Sequence, residues 1–370
     1  TFEANGDHIL PGDVFHFDGA TAGAVNIKNC YFKDFVQSGT VNGGPIYIHG
    51  GVTAEINFTG CTFSGNQCNV GGAAYVYATG ASVNFMGCTF NGNKATNGGS
   101  IRARAGSVSI SNCTFTGVGI GDADVNTANQ GGAIYADGAT VNISGGSISN
   151  CKTANSGAIY FSNGSLSAEG LSVSNCRTTA QGAGLTVAAG KTATLENCTF
   201  TGLTAGTYGG AISNSGTVTL TNCNLSANDC ATNGGAVYNE GTLTLNGTTV
   251  TGKGKSTNLT TLLGGGIYIK SGATATIENS SVIEGCAITG SSHHGAAIWN
   301  GGTLIIDCST LRNNVNTQRG GGIYCVGTAA DATIINTLFD DNDAANGGAI
   351  AADDGAGAHR LLGGGRREGL

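Results

Sequence analysis

The sequence predicts an all-β fold wound as a single right-handed parallel β-helix, and three observations carry that prediction. A Gly-Gly-Ala-Ile motif or a near variant recurs twelve times, ending at Ile46, Ala74, Ile101, Ile134, Ile159, Leu185, Ile212, Val237, Ile267, Ile298, Ile323 and Ile350. Its spacing stays between 25 and 33 residues, which is the mark of a solenoid or array. Of 370 residues, 65 are Gly, 2 are Pro and only 11% are charged, which excludes collagen, disorder and folds built on long helices.

Each copy reads as three short strands. The Gly131-Gly132 pair turns a tight corner, where a Cβ would find no room or the wrong φ. Ile134 and Ala136 then point inward on the first strand and Tyr135 points outward, because side chains alternate with period two. Val141 and Ile143 point inward on the second strand, with Thr140 and Asn142 outward, and Ile148 anchors the third. Three strands in so short a copy make a coil of a β-helix rather than a four-stranded propeller blade. Phe15-His16-Phe17-Asp18-Gly19 reads as a degenerate thirteenth copy, so about 13 coils are expected over residues 15–350. Residues 1–14 form a lead-in segment and 351–370 an irregular tail. Parallel crossovers are right-handed, and equivalent positions stack into columns.

The pair of signatures Gly-Gly-Ala-Ile and Phe-x-x-Asn, the latter at Phe63-Ser64-Gly65-Asn66, Phe90-Asn91-Gly92-Asn93 and Phe339-Asp340-Asp341-Asn342, resembles the repeat of the chlamydial polymorphic outer-membrane proteins. More broadly it is similar to right-handed β-helix adhesins and autotransporter passengers. The resemblance covers about residues 15 to 350 and implies surface exposure and adhesion. The membrane-barrel tail of those proteins has no counterpart in this sequence.

Three columns carry candidate chemistry. Cys30, Cys61, Cys88, Cys113, Cys198 and Cys223 lie two positions before the third-strand anchor and face the core, as small apolar filler. Cys151, Cys176 and Cys286 lie three positions after theirs, and Cys151 with Cys176 stands within reach of a disulfide. The column after each motif Ile holds Tyr47, Tyr75, Tyr135, Tyr160, Tyr238, Tyr268, Trp299 and Tyr324: seven of the ten Tyr and the only Trp. Rings in one outward stripe either stabilise the sheet by stacking or offer a face to a sugar or partner. Insertions Gly117 to Gln130, Gly252 to Leu263 and Gly285 to His294 share one corner and place Asp122, Asp124, Lys253, Lys255, His293 and His294 at the rim of that stripe.

No cofactor is required. Calcium is the one cation with a foothold, at Asp122-x-Asp124-x-Asn126 or the Asp340, Asp341, Asp343 turn, although Thr127 and Ala133 replace the Gly and Glu of a calcium loop. His293-His294 is a candidate metal pair or a polar loop tip. A formal charge of −7 without a basic stripe argues against nucleic acid, and no apolar run reaches membrane-spanning length. Catalysis is expected to be absent: polygalacturonase-type motifs are missing, and His49 reads as a turn residue without a carboxylate column beside it. Thr192-x-Thr194, Thr217-x-Thr219, Thr242-x-Thr244 and Thr274-x-Thr276 stack like the arrays of ice-binding helices, but Thr is an ordinary strand residue.

Thr1 reads as a processed or excised start, and His359 to Arg367 as a truncated coil, an appended scar or a docking segment. The expected protein is therefore a non-enzymatic extracellular or cell-surface adhesin or structural fibre. It would bind a glycan or a host or cell-surface protein and could stack end to end as a homo-oligomer. A polysaccharide-binding or polysaccharide-degrading β-helix is the alternative.

Overall fold

The computed structural model describes residues 2–3, 14–19, 23–37, 42–117, 129–252, 263–290, 292–353, 355–356 and 360–362. The chain is an all-β, right-handed parallel β-helical solenoid of about 11 turns. The count is slightly below the thirteen expected. The chain divides into two compact units, Thr1–Ala193 and Thr194–Leu370.

In the first unit the motif residues align rung on rung, Ile46 with Ala74, Ile101 with Ile134 and Ile134 with Ile159. First and second strands merge into single long ones at Ala74–Met86, Ile101–Ser111, Ile134–Ser144 and Ile159–Glu169. Third strands run from Tyr31–Lys33 to Ser172–Ser174, all parallel. In the second unit the first and second strands stay separate, as at Ile212–Asn214 and Thr217–Thr221, and the register is equally strict, Val237 on Ile267 and Ile267 on Ile298.

The core is a set of stacked columns. Phe32, Phe63, Phe90 and Phe115 lie face to face at 4.8, 4.9 and 4.5 Å between ring centres, and Phe58 lies 5.0 Å from Phe85. All six rings are buried, and truncating one would cost about 3–5 kcal/mol in transfer and cavity terms. The Gly corner is required by geometry: Gly131 has φ +64°, and a Cβ there would lie 2.3 Å from the Ile134 carbonyl oxygen.

A fourth short pairing follows the Phe-x-x-Asn segment in many turns, for example Gln67–Val70 with Lys94–Asn97, and Lys152–Thr153 with Arg177–Thr178. The turns that carry it add this short pairing to the three strands expected, and at two residues in some turns it is too short to show a period of its own in the sequence. Its anchor is the signature Asn, which turns inward. Asn93 Oδ1 accepts from Asn66 N at 3.1 Å and from Asn66 Nδ2 at 2.9 Å, while Asn93 Nδ2 donates to the Phe63 carbonyl at 2.9 Å. Asn314 and Asn342 repeat the pattern in the second unit. Cys151, Cys176 and Cys286 occupy the same position. Cys151 N donates to Cys176 Sγ at 3.4 Å, so the thiol substitutes for the amide oxygen; both cysteines are free.

Cys61, Cys88, Cys113, Cys198 and Cys223 are buried as expected, whereas Cys30 is half-buried and Cys308 exposed. Hydrogen bonding to the next thiol and then burial push the Cys88 thiol up to about 12.

Candidate functional site

The outward face of the first strands is built by alternation. With the motif Ile pinned in the core, the next residue must leave it, and strict register stacks these residues one per rung. In the first unit Tyr47 and Tyr75 lie parallel at 5.3 Å, Arg102 sits between Tyr75 and Tyr135 at 5.6 and 5.0 Å from their ring centres, and Tyr160 follows at 5.1 Å from Tyr135. In the second unit Tyr238 and Tyr268 are 5.1 Å apart, and Tyr268 and Trp299 4.3 Å.

The column forms, but it is covered. Tyr75, Tyr135, Tyr238 and Tyr324 are buried at 2, 8, 7 and 3% exposure, and Tyr47, Tyr160, Tyr268 and Trp299 are half-buried. The inner rings spend their faces on the rings or guanidinium above and below, while Tyr160 and Tyr324 meet Thr186 and Ala351 on the next rung, and corner residues close the flank: Tyr208 stacks on Tyr238 at 4.5 Å and His294 leans on Tyr324 at 4.7 Å. A sugar therefore cannot stack on a ring inside the ladder. What the column offers a ligand is ring edges and hydroxyls. The rim expectation holds for His294; Asp122, Asp124, Asn126, Lys253 and Lys255 lie outside the described residues.

A second outward column, three residues after each motif position, runs beside the first: Asp18, His49, Tyr77, Arg104, Asp137 and Ser162 in the first unit, and Ser215, Glu240 and Lys270 in the second. Its members touch one another. His49 Nδ1 lies 3.2 Å from Asp18 Oδ1, close enough for an ion pair but out of line for a hydrogen bond. Arg104 lies over the Tyr77 ring at 4.7 Å and donates to the Tyr75 hydroxyl at 3.1 Å. Asp137 binds Arg102 at 2.5 Å through Oδ2 and accepts from Ser162 Oγ at 3.3 Å through Oδ1. In the second unit Glu240 accepts from Lys270 at 2.5 Å, from Tyr238 at 3.0 Å and from Ser215 at 3.1 Å.

Sequence reasoning missed this column because it mixes acids, bases, hydroxyls and a phenol. Aligning every copy on its motif Ile, instead of searching for one residue type, would have found it. His49 was consequently misread: Asp18 from the preceding rung stands beside it.

Electrostatics follow from the contacts. Burial opposes ionisation of Glu240, yet the bonds from Lys270, Tyr238 and Ser215 outweigh it and hold the carboxyl below its ordinary range. Burial, then the field and hydrogen bond of Glu240, push the Tyr238 phenol up. At His294 burial, then the Arg319 charge, disfavours the protonated ring. Tyr324 and Arg319 both bind Asp353, each at 2.5 Å.

Among the described residues no group of three or more His, Cys, Asp or Glu is arranged to hold a metal ion. His293 is buried with its Nδ1 unpartnered, and Asp340, Asp341 and Asp343 are exposed to solvent. The Thr array is in register, Thr217 on Thr242 on Thr274 and Thr219 on Thr244 on Thr276, but its outer neighbour Thr303 leads to Ile305 rather than a second Thr.

No helix is long and apolar enough to cross a membrane among the described residues. No curated protein and no solved structure matches the chain. The sequence pattern of the right handed beta helix region matches residues 72–282 and, overlapping, 158–339, which is most of the coiled part. Together with the winding and register above, this match shows that the chain belongs to the right-handed β-helix family.

Proposed function

We propose that the protein is a non-enzymatic, extracellular or cell-surface β-helix, an adhesin or structural fibre whose double-column face recognises a glycan or a surface protein. The observation that carries the reading is the pairing of a rigid aromatic column with a polar one in both units. Rings locked by stacking lose little entropy on binding, and the adjoining carboxylates, hydroxyls and cations supply directional contacts. The Ser-, Thr- and Asn-rich outer strands and low charge suit such a surface. End-to-end stacking into fibres belongs to the same proposal and is tested by negative-stain imaging, where only isolated short particles would count against it.

The test is a glycan array and a cell-binding assay on the wild type and on Lys270→Ala, Glu240→Gln and Trp299→Ala, with circular dichroism to check folding. Binding should fall at least tenfold in one or more folded variants. Undiminished binding in all three would reject the second unit's face as a site.

A second reading, a lyase or glycosidase acting on polysaccharide, is favoured by one observation: the imidazole of His49 stands between the Asp18 carboxylate and the Tyr77 ring, 6.2 Å away. A carboxylate beside an imidazole is the usual arrangement of a general base. Release of unsaturated products or reducing ends from a polysaccharide panel, abolished in His49→Ala, would put this reading first.

A further inference from the structure

We propose that Arg104, with Arg102 beside it, is the binding site for the carboxylate of an acidic saccharide. The inference rests on the reading of this face as a recognition surface and names the ligand class its first unit takes.

Several outward cations in this protein are matched. Arg102 meets Asp137, Lys270 meets Glu240, Arg312 meets Glu284 and Arg319 meets Asp353. Arg104, like Lys28, Lys152, Arg177 and Lys191, forms no ion pair among the described residues, but of these it is the one clamped over an aromatic ring. It is also exposed. Its guanidinium is held in place by neutral groups, over the Tyr77 ring at 4.7 Å and against the Tyr75 hydroxyl at 3.1 Å. A guanidinium carries five N–H donors, so most remain for a ligand in a pre-set orientation. Arg102 adds a buried Nε that has no hydrogen-bond partner.

The neighbourhood selects the ligand. A nucleic acid would need a run of matched cations along its backbone, which a chain of net charge −7 does not present here. A carboxylate fits the guanidinium fork in bidentate fashion. Tyr77, 37% exposed, offers an apolar edge, and Asp137, Ser162 and Asn163 on the next rungs offer acceptors and donors for sugar hydroxyls. Further along the same face Lys191 is held 2.8 Å from Asn163, a second cation roughly 14 Å from Arg104 at about 4.8 Å per rung. An acidic saccharide lying along the rungs meets cation, aromatic edge and polar groups in that order.

The test is calorimetry on the full chain with hexagalacturonate, its methyl ester, sialyllactose, free glucuronate and neutral maltohexaose. The expected result is binding of at least one carboxylate-bearing saccharide, about tenfold or more weaker for the ester and for Arg104→Ala, with Arg104→Lys recovering only part of the loss. Affinity should also fall with added salt. A uronate site and a sialate site are told apart by which acid binds. Equal affinity for acid and ester, unaltered binding by folded Arg104→Ala, or no binding of any acid would overturn the proposal. Binding of neutral glycans that is lost in Lys270→Ala but kept in Arg104→Ala would overturn it while leaving the recognition reading intact.

Discussion

Replacing Asn93 with Ala should destabilise the first unit by about 1–3 kcal/mol, and replacing it with Cys should cost clearly less. The estimate follows from the one backbone group that only the Asn93 side chain satisfies in the interior, the Asn66 N–H at 3.1 Å; the Phe63 carbonyl, 2.9 Å from Asn93 Nδ2, keeps its partner in the parallel strand ladder. Asn93 is fully buried, and each orphaned buried group costs about 1–3 kcal/mol. The Asn66 side-chain nitrogen is spared because it also donates to the Phe32 carbonyl at 3.1 Å. A Cys retains an acceptor for the Asn66 amide, as Cys176 does for Cys151 at 3.4 Å. Urea unfolding would read the total, and hydrogen exchange at the Asn66 amide would read the local loss, which matters because stacked repeats need not unfold as one unit. If the Ala variant loses under about 0.5 kcal/mol, below the cost of even one orphaned group, or if Cys and Ala are indistinguishable at the Asn66 amide, the ladder is not what holds this corner.

Two further outcomes follow from the charges and thiols. Because the Glu240 carboxyl titrates below its ordinary value in the folded chain, the stability it contributes is present above the unfolded carboxyl pKa and is lost as pH falls through the folded one; Glu240→Gln should flatten the acid limb of thermal melts of the chain, and an unchanged limb would contradict this. Alkylation of the native protein at mildly alkaline pH should label Cys308 first and Cys30 next, leaving Cys88 and Cys286, whose thiols are pushed up to about 12, unmodified until unfolding. Peptide mass mapping that finds Cys88 labelled as fast as Cys308 would disprove the burial assigned to it.

Winding and register were legible in the sequence because the motif Ile must be buried once per rung and everything else takes its place from that anchor. The aromatic column was legible for the same reason, as Tyr47 on Tyr75 and Tyr268 on Trp299 demonstrate. Its covering was not: whether Tyr238 faces water depends on Tyr208 from the preceding corner, and corner paths carry no periodic signal. The inward turn of Asn93 was equally hidden, since an Asn after a strand ordinarily faces solvent and only a repeating stack gives it a partner at every level. That Cys151, Cys176 and Cys286 fall at the same offset was visible, but its meaning came only with the amide ladder.

The chain has one tryptophan, and Trp299 lies against Tyr268 at 4.3 Å with an interplanar angle of 9°. That makes the indole a built-in fluorophore for the second unit. Phenol-to-indole energy transfer will track the separation of two adjacent levels there, so loosening of that neighbourhood becomes an optical signal without any dye or label.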